Sequence, residues 1–147
     1  MVDRIARDRF AELLRHYAAG LISNDSFEDN LPLKSKDRAV NTIFWNGAWM
    51  LYDDTHEYKL SGEYRLSKRA KREVARWILF LKSDLEYEWP PIRGIYGFPY
   101  YLLIILTFGL ILPFVKRYLR KAGDEEVWPF LRRTDYDSAL ANPPYLN

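Results

Sequence analysis

The sequence predicts a mostly α-helical protein, with a small helical N-terminal domain over residues 1–92, one hydrophobic helix over 94–115 and a short basic and aromatic C-terminal tail over 116–147. Three observations predict this organisation. Apolar residues recur at helical spacing through much of the first domain, a serine or aspartate stands at the N-cap of most periodic stretches, and residues 94–115 carry no charge. As a helix, that uncharged run would measure about 33 Å, which is enough to cross a hydrocarbon core.

The first two helices are predicted to form a tight hairpin. Residues 2–19 place Ala6, Phe10, Leu13, Leu14 and Tyr17 at helical spacing, and the opposite polar face consists of Arg4, Arg7, Asp8, Arg9, Glu12 and Arg15. Gly20 is positioned to end this helix. Ser23 can then cap a second, short helix, while Ile22 precedes the cap and can pack on Phe27 as a hydrophobic staple.

This hairpin carries a resemblance to a known family. The run from Gly20 to Glu28 reads GLISNDSFE and follows Leu13 and Leu14. It resembles the signature of the short SHOCT-type helical module, in which a leucine helix leads into G-x-I-[S/T] and then x-x-x-F-E. The resemblance covers residues 2–31 at the N-terminus, whereas such modules more usually occupy a C-terminus. It implies a small interaction or oligomerisation element, often attached to membrane or secreted proteins, with no catalytic residues to transfer.

A third helix is predicted between a cap at Ser35 or Asp37 and about Tyr52, with apolar residues around most of its circumference. This helix is either the centre of the soluble core or packed on membrane, and it is too short to span a bilayer. Residues 53–66 are compatible with either a small β-hairpin around Ser61-Gly62 or a polar loop.

Ser67 can cap a fourth helix, whose apolar stripe consists of Ala70, Val74, Trp77, Ile78, Leu81 and Leu85. This helix is expected to end at Trp89-Pro90-Pro91. In the tail, Thr134 followed by Asp137 predicts a last capped helix that ends before Pro143-Pro144.

The hydrophobic segment 94–115 has the flanks of a membrane segment. Arg93 precedes it, four basic residues follow it within six positions, and tyrosine or phenylalanine lies near both ends. Pro113 would press on the carbonyl of Gly109 and kink a helix there. The segment can span the bilayer, dip into one leaflet, or lie buried within the protein.

Composition narrows the function classes. There is no cysteine, so disulfides, a thiolate nucleophile and Cys-ligated metals are excluded. A net charge of +2 is too small to indicate nucleic-acid binding, and no nucleic acid is expected as a partner. Aromatic residues make up 16% of the chain, which is typical of proteins with protein or membrane interfaces. The N-terminus lacks the apolar region of a signal peptide, so we expect the helical domain to stay in the cytoplasm.

Few residues in the sequence could form a catalytic or metal-binding site. Asp53, Asp54, His56 and Glu57 could supply carboxylate and imidazole ligands to a metal. A bundle-type metal site needs two such ligand pairs and only one occurs here, so a solvated loop after an apolar helix accounts for these residues better. No nucleophile elbow, phosphate loop, dinucleotide fingerprint or zinc motif occurs. We therefore predict no catalytic residue, no cofactor and no metal site. The candidate residues for contact with a membrane surface are basic: Lys68, Arg69, Arg72, Arg76, Lys116, Arg117, Arg120 and Lys121.

Together these patterns predict a small membrane-anchored, non-catalytic helical protein whose domain binds a protein partner or a second copy. The alternative is a soluble cytoplasmic helical-bundle protein with residues 102–112 as its core helix, acting as a binding protein or, less in keeping with the residues, as an enzyme. Topology is predicted with the N-terminal domain cytoplasmic. The basic residues after the segment favour a cytoplasmic C-terminus, and the tail stays open between a re-entrant arrangement, which keeps both flanks cytoplasmic, and a spanning one.

Overall fold

The computed structural model describes residues 1–53, 55–90 and 122–143, together with Pro113 and Arg117. Within these ranges the chain forms the helices α1 (Arg4–Ala18), α2 (Asn24–Asp29), α3 (Arg38–Asn46), α4 (Lys68–Lys82) and α5 (Arg133–Ala141), and 3₁₀ turns at Ala48–Leu51, Gly62–Tyr64 and Glu125–Val127. The same ranges contain no β-strand, only an isolated antiparallel bridge between Ser23 and Lys59. The prediction of a mostly α-helical protein is confirmed.

Side-chain caps begin the four helices of the N-terminal part. The N-cap side chain accepts a hydrogen bond from a backbone N–H of the first turn at Asp3, Ser23, Asp37 and Ser67. The predicted caps at Ser23 and Ser67 are confirmed, and Asp37 rather than Ser35 caps α3. In contrast, α5 begins one residue before Thr134, and Arg132 at its N-cap position makes no capping hydrogen bond. The predicted Thr134 cap is therefore wrong, although α5 does end before Pro143.

Two helices end earlier than the sequence predicts. The third helix was expected to reach Tyr52, but α3 ends at Asn46 because Gly47 leaves the helical conformation. Gly47 lies so close to the Trp77 ring that a Cβ atom there would meet it at 2.7 Å. The fourth helix was expected to reach Trp89, but it ends at Lys82. Ser83 is extended there, and its hydroxyl donates to the carbonyl of Phe80.

Residues 55–66 form a loop rather than a hairpin. The turn at Gly62–Tyr64 is a single 3₁₀ turn, and the described residues on its two sides form no β-ladder. The loop alternative is therefore the correct one, and the hairpin alternative is wrong.

The helices surround one aromatic-rich core. α1 packs along α4 and also touches α2 and α3, while α5 lies against α4. The largest fully buried apolar side chains are Trp89, Tyr17, Phe10, Phe27, Phe44, Phe80, Phe130, Leu14, Ile43, Leu81 and Val40. Phe130 belongs to the stretch predicted as a C-terminal tail. Residues on both sides of the hydrophobic segment therefore contribute to the same core.

A buried ion pair joins α1 to the start of α3. Arg7 is fully buried and Asp37 is 2% exposed, and the guanidinium donates to the carboxylate from Nε at 2.6 Å and from Nη2 at 3.2 Å. Nη1 of Arg7 also donates to the carbonyls of Ser83 and Leu85, just after α4 ends. Arg7 was predicted to lie on the polar face of α1, and this prediction is wrong. Instead, Arg7 ties three parts of the chain together.

The predicted hydrophobic helix over 94–115 lies outside the described residues, apart from Pro113. Among the helices that the structure does describe, none combines the length and the apolar character needed to cross a bilayer.

Candidate functional site

The predicted N-terminal hairpin forms, and its end is closed by glycine. Gly20 adopts φ +72°, the left-handed region that favours glycine. Its N–H donates to the carbonyl of Tyr17 and the N–H of Leu21 donates to that of His16, which is the Schellman arrangement at a helix C-terminus. An added Cβ at Gly20 would also meet the carbonyl oxygen of Leu60 at 3.1 Å. The backbone here therefore requires glycine both for its conformation and for its close packing.

The remaining hairpin residues face the core rather than a partner. Phe27 is fully buried, and its ring stacks on Tyr17 with centroids 4.8 Å apart. Ser23 is 7% exposed, and Ile22 is half-buried against the core. These side chains hold α2 on α1, and both Phe27 and Ser23 are withdrawn from solvent. Any partner of the hairpin must bind its outer side, where Leu21 is 62% exposed.

Asn24 is the hairpin residue whose role the sequence analysis missed. It is 1% exposed, and its amide group donates to the carbonyls of Asp53 and His56. Its side-chain oxygen accepts from the N–H of Tyr58, and its own N–H donates to the Tyr58 carbonyl. One buried side chain thus orders the loop that follows the third helix. The feature of the sequence that could have indicated this role is an asparagine at the first position of the helix, because its side chain can donate to and accept from several backbone groups at once.

The candidate metal ligands do not converge. Among the described residues no group of three or more His, Asp or Glu side chains could hold a metal ion, and Asp54 lies outside them. The Asp53 carboxylate accepts from the N–H and hydroxyl of Thr55, and these bonds lower its pKa. The His56 ring lies between Thr55 and Tyr64 instead. The solvated-loop interpretation fits this geometry.

The predicted basic residues separate into two groups. Lys68, Arg69 and Arg72 are exposed on the first turns of α4, although Arg69 pairs with Glu73 at 3.2 Å. Arg76 differs, since its Nε donates to the carbonyl of Trp128 at 2.6 Å and its Nη1 donates to that of Glu126 at 2.7 Å. It holds the C-terminal stretch on α4, and its predicted contact with a membrane surface stays a prediction. Arg117 is exposed, whereas Lys116, Arg120 and Lys121 lie outside the described residues.

Trp89 joins the chain before the hydrophobic segment to the chain after it. Its ring is fully buried, and Nε1–H donates to the carbonyls of both Pro129 and Phe130 at about 3 Å. Arg38 donates to the Trp89 carbonyl at 2.7 Å, which connects the start of α3 to the same place. From the sequence, Trp89 was predicted only to mark the end of a helix. The structure brings residues 89 and 129–130 into direct contact.

An exposed aromatic surface surrounds the end of α3. We define the aromatic patch as Trp45, Trp49 and Met50, which are 37%, 39% and 79% exposed. The two indole rings lie 5.3 Å apart, and both contact the ring of Phe44, which is buried. Most other tryptophan and phenylalanine side chains in the described part of the chain are buried. The patch is therefore a candidate contact surface. From the sequence, the third helix was predicted to be apolar around most of its circumference, without indicating which of its side chains stay exposed.

A polar groove lies between α1 and α4. It has a volume of about 740 Å³ and is lined by Arg4, Asp8, Glu12, Arg15, Ala75, Ile78, Lys82 and Asp84. Its charges pair across the groove, because Lys82 contacts both Asp8 at 3.0 Å and Glu12 at 3.8 Å. The groove thus neutralises its own charges and offers no excess of either sign.

Comparison of the chain with protein-family models, with curated proteins and with solved structures found no match.

Proposed function

We propose that this chain is a small membrane-anchored, non-catalytic helical protein whose domain lies on the cytoplasmic face of the bilayer. The observation that carries the proposal is the run of 22 uncharged residues at 94–115, with aromatic residues at both ends and four basic residues after it. Such a run is long enough to enter a hydrocarbon core, and basic flanks favour the cytoplasmic side. The exposed cations at the start of α4 add attraction to an anionic leaflet.

The contacts around Trp89 support one arrangement of this anchor. A single crossing would carry residues 122–143 to the opposite side of the membrane from residues 1–90. It would separate Trp89 from the carbonyls of Pro129 and Phe130, and Arg76 from the carbonyl of Trp128. Each buried polar group left without a partner costs about 1–3 kcal/mol. An anchor that enters and leaves the same leaflet keeps these contacts, so we propose that both flanks are cytoplasmic.

The helical domain then serves as the binding part of the protein, with a protein partner or a second copy as its target. The outer side of the α1–α2 hairpin, around the exposed Leu21, is available for such a partner. This interaction role follows from the resemblance of the hairpin to SHOCT-type modules and stays a prediction.

Membrane fractionation tests the anchor. The wild-type protein is expected to pellet with membranes, to resist alkaline carbonate and to be released by detergent. Leu106→Arg puts a charge in the middle of the uncharged run, which costs about 3 kcal/mol in a bilayer, and is expected to move protein into the carbonate-soluble fraction. Leu140→Arg is the matched control, because Leu140 is 57% exposed on α5. Wild-type protein that stays in a detergent-free supernatant would refute the anchor.

Single-cysteine labelling tests the topology, and the natural chain has no cysteine to interfere. Cysteines replace Ser26 and Ser138 in separate variants, and intact cells are treated with an impermeant maleimide. We expect both positions to be protected in intact cells and both to be labelled once the cells are permeabilised. Labelling of Ser138→Cys alone would establish a single crossing and overturn the same-side arrangement. Labelling of Ser26→Cys would overturn the cytoplasmic domain.

A further inference from the structure

We propose that two copies of this chain exchange their C-terminal loops, which we define as residues 124–131, so that the loop of each copy occupies the groove of the other. The groove that holds the loop within one chain consists of Arg76, Trp77 and Phe80 of α4 together with Tyr87 and Trp89. The partner is a second copy, because the sequence that fits this groove is the chain's own. This inference rests on the binding role proposed above and names its partner, and it does not depend on the membrane anchor.

The helical domain binds the loop through main-chain carbonyls. Arg76 donates from Nε to the carbonyl of Trp128 at 2.6 Å and from Nη1 to that of Glu126 at 2.7 Å. Trp89 donates from Nε1 to the next two carbonyls of the loop, at 3.1 and 3.0 Å. Where a domain binds a peptide, hydrogen bonds to the main chain supply affinity and pockets for side chains supply specificity. The loop is thus held in the way in which a peptide ligand is held.

Two aromatic side chains of the loop fill the groove. Trp128 is 5% exposed, lies edge to face with Trp77 at a centroid distance of 6.1 Å, and donates from Nε1 to the hydroxyl of Tyr87 at 3.0 Å. Phe130 is fully buried and meets the ring of Phe80 edge to face, with centroids 5.0 Å apart. A few buried side chains of this kind, tryptophan above all, carry most of the binding free energy at interfaces. The groove therefore selects the loop by its side chains as well as by its main chain.

The loop also keeps its shape through bonds of its own. The N–H of Asp124 donates to the carbonyl of Leu131 at 2.9 Å, which closes the loop, and the N–H of Phe130 donates to the carbonyl of Val127 at 3.0 Å. Arg133, just after the loop, pairs with Asp124 at 2.8 Å. A loop that is already ordered loses little conformational entropy when it binds. It can therefore make in a second copy the contacts that it makes in its own, and such an exchange of identical elements is a known route to dimers.

Two variants of the full-length protein separate the loop from the groove. The loop variant, Trp128→Ala/Phe130→Ala, removes both aromatic rings of the loop and keeps the groove. The groove variant, Arg76→Met/Trp89→Phe, removes the N–H groups that donate to the loop carbonyls and keeps the loop. Both proteins are studied in detergent. Carbonate extraction of the wild-type protein is measured separately, so that a failure of the anchor is recognised on its own.

A fluorescent peptide of residues 122–134 tests the groove. Fluorescence anisotropy should show that this peptide binds the loop variant at least about tenfold more tightly than the groove variant, which has lost its bonds to the main chain of the loop. The same peptide with Trp128→Ala and Phe130→Ala is the matched control and should bind neither protein. If the loop variant has lost helical circular dichroism, the intact peptide should restore it and the control peptide should not. Equal affinity of the intact peptide for the two variants, or no binding to either, overturns the inference.

Capture between two differently tagged copies tests the exchange itself. Only the mixed pair of loop variant and groove variant combines an intact loop in one copy with an intact groove in the other. We expect this pair to be captured at least about fivefold more than either variant with itself. Equal capture in all three pairings would identify association through another surface and would overturn the exchange. Peptide binding without preferential capture of the mixed pair would assign the groove to a different protein and would overturn the second copy as partner. In each case the anchor still stands if the wild-type protein resists alkaline carbonate.

Discussion

Removing the Asp37 carboxylate is expected to be among the most damaging single changes in the described part of the chain. Asp37→Ala leaves the Arg7 guanidinium buried without its counter-charge and removes the cap of α3. Breaking a buried ion pair from one side costs about 3–5 kcal/mol, and losing a cap adds about 1 kcal/mol. Arg7 retains its bonds to two backbone carbonyls, so we expect a total near 4 kcal/mol. That is a large share of the 5–15 kcal/mol typical of a domain.

A double-mutant cycle isolates the pair itself. Arg7→Met, Asp37→Asn and the double variant are unfolded with urea in a fixed detergent concentration, and the expected coupling free energy is at least about 2 kcal/mol. Asparagine is used because its side-chain oxygen can still cap α3. The control cycle uses Arg15 and Glu12, which lie equally close at 2.6 Å but are 62% and 44% exposed, and it should yield less than about 0.5 kcal/mol. Equal couplings in the two cycles would refute the argument from burial.

The same pair predicts a pH dependence. Burial acts to raise the pKa of the Asp37 carboxyl, but hydrogen bonds from Arg7 and from the N–H groups of Asp3 and Ala39 outweigh it and hold the pKa below its ordinary value. A carboxyl with a lowered pKa stabilises the fold above the ordinary value of about 3.9, and that stabilisation disappears as the pH falls through the lowered pKa. Unfolding measured between pH 6 and about pH 2 should show a smaller acid-induced loss in Asp37→Asn than in wild type.

Three further predictions concern the hairpin and the loop that it orders, each measured by urea unfolding. Gly20→Ala is expected to lower the free energy of unfolding by about 2 kcal/mol, because position 20 combines a positive φ with a close backbone carbonyl. Gly62→Ala is the control: it has φ +56° but open space around it, and it should cost about 1 kcal/mol. Equal costs would mean that the close contact at Gly20 contributes nothing to stability. Phe27→Ala is expected to cost about 3–5 kcal/mol through the loss of a fully buried ring, and a cost below about 1 kcal/mol would show that the hairpin does not belong to the core. Asn24→Ala is expected to cost about 3 kcal/mol, because three backbone groups lose their partner. Proteolysis in the loop should increase in this variant, and an unchanged cleavage rate would contradict the ordering role.

Local signals in the sequence predicted where helices begin more reliably than where they end. The caps at Ser23 and Ser67 and the glycine stop at Gly20 form as expected, because a cap depends on atoms only two or three residues away. The end of α3 was not predicted: the helix ends where Gly47 leaves the helical conformation, and the ring of Trp77 packs against this glycine. That contact depends on a residue thirty positions further along the chain.

The candidate site residues show the same difference between features set by neighbouring residues and features set by distant contacts. Arg7 shares its face of α1 with Phe10 and Leu14, at spacings of three and seven, so its position alone indicated burial. Its charge indicated exposure, because arginine is almost never fully buried unless paired. Only the tertiary structure supplies Asp37 and two carbonyls as partners. The contacts of Arg76 were missed for a related reason, since the carbonyls that bind it belong to residues 126 and 128, about 50 positions along the chain.

The sequence by itself determined that this protein is mostly helical, where most of its helices begin, and that it carries an uncharged run long enough to enter a bilayer. These properties depend on composition and on periodicities within a few residues. The tertiary structure decided which charges are buried, which aromatic rings remain exposed, and that the chain on both sides of the run packs into one core. Those outcomes depend on contacts between residues 30 to 80 positions apart, such as Arg7 with Asp37 and Ser83. Such pairings arise only when the packed core brings distant segments together, and no local pattern in the sequence encodes them.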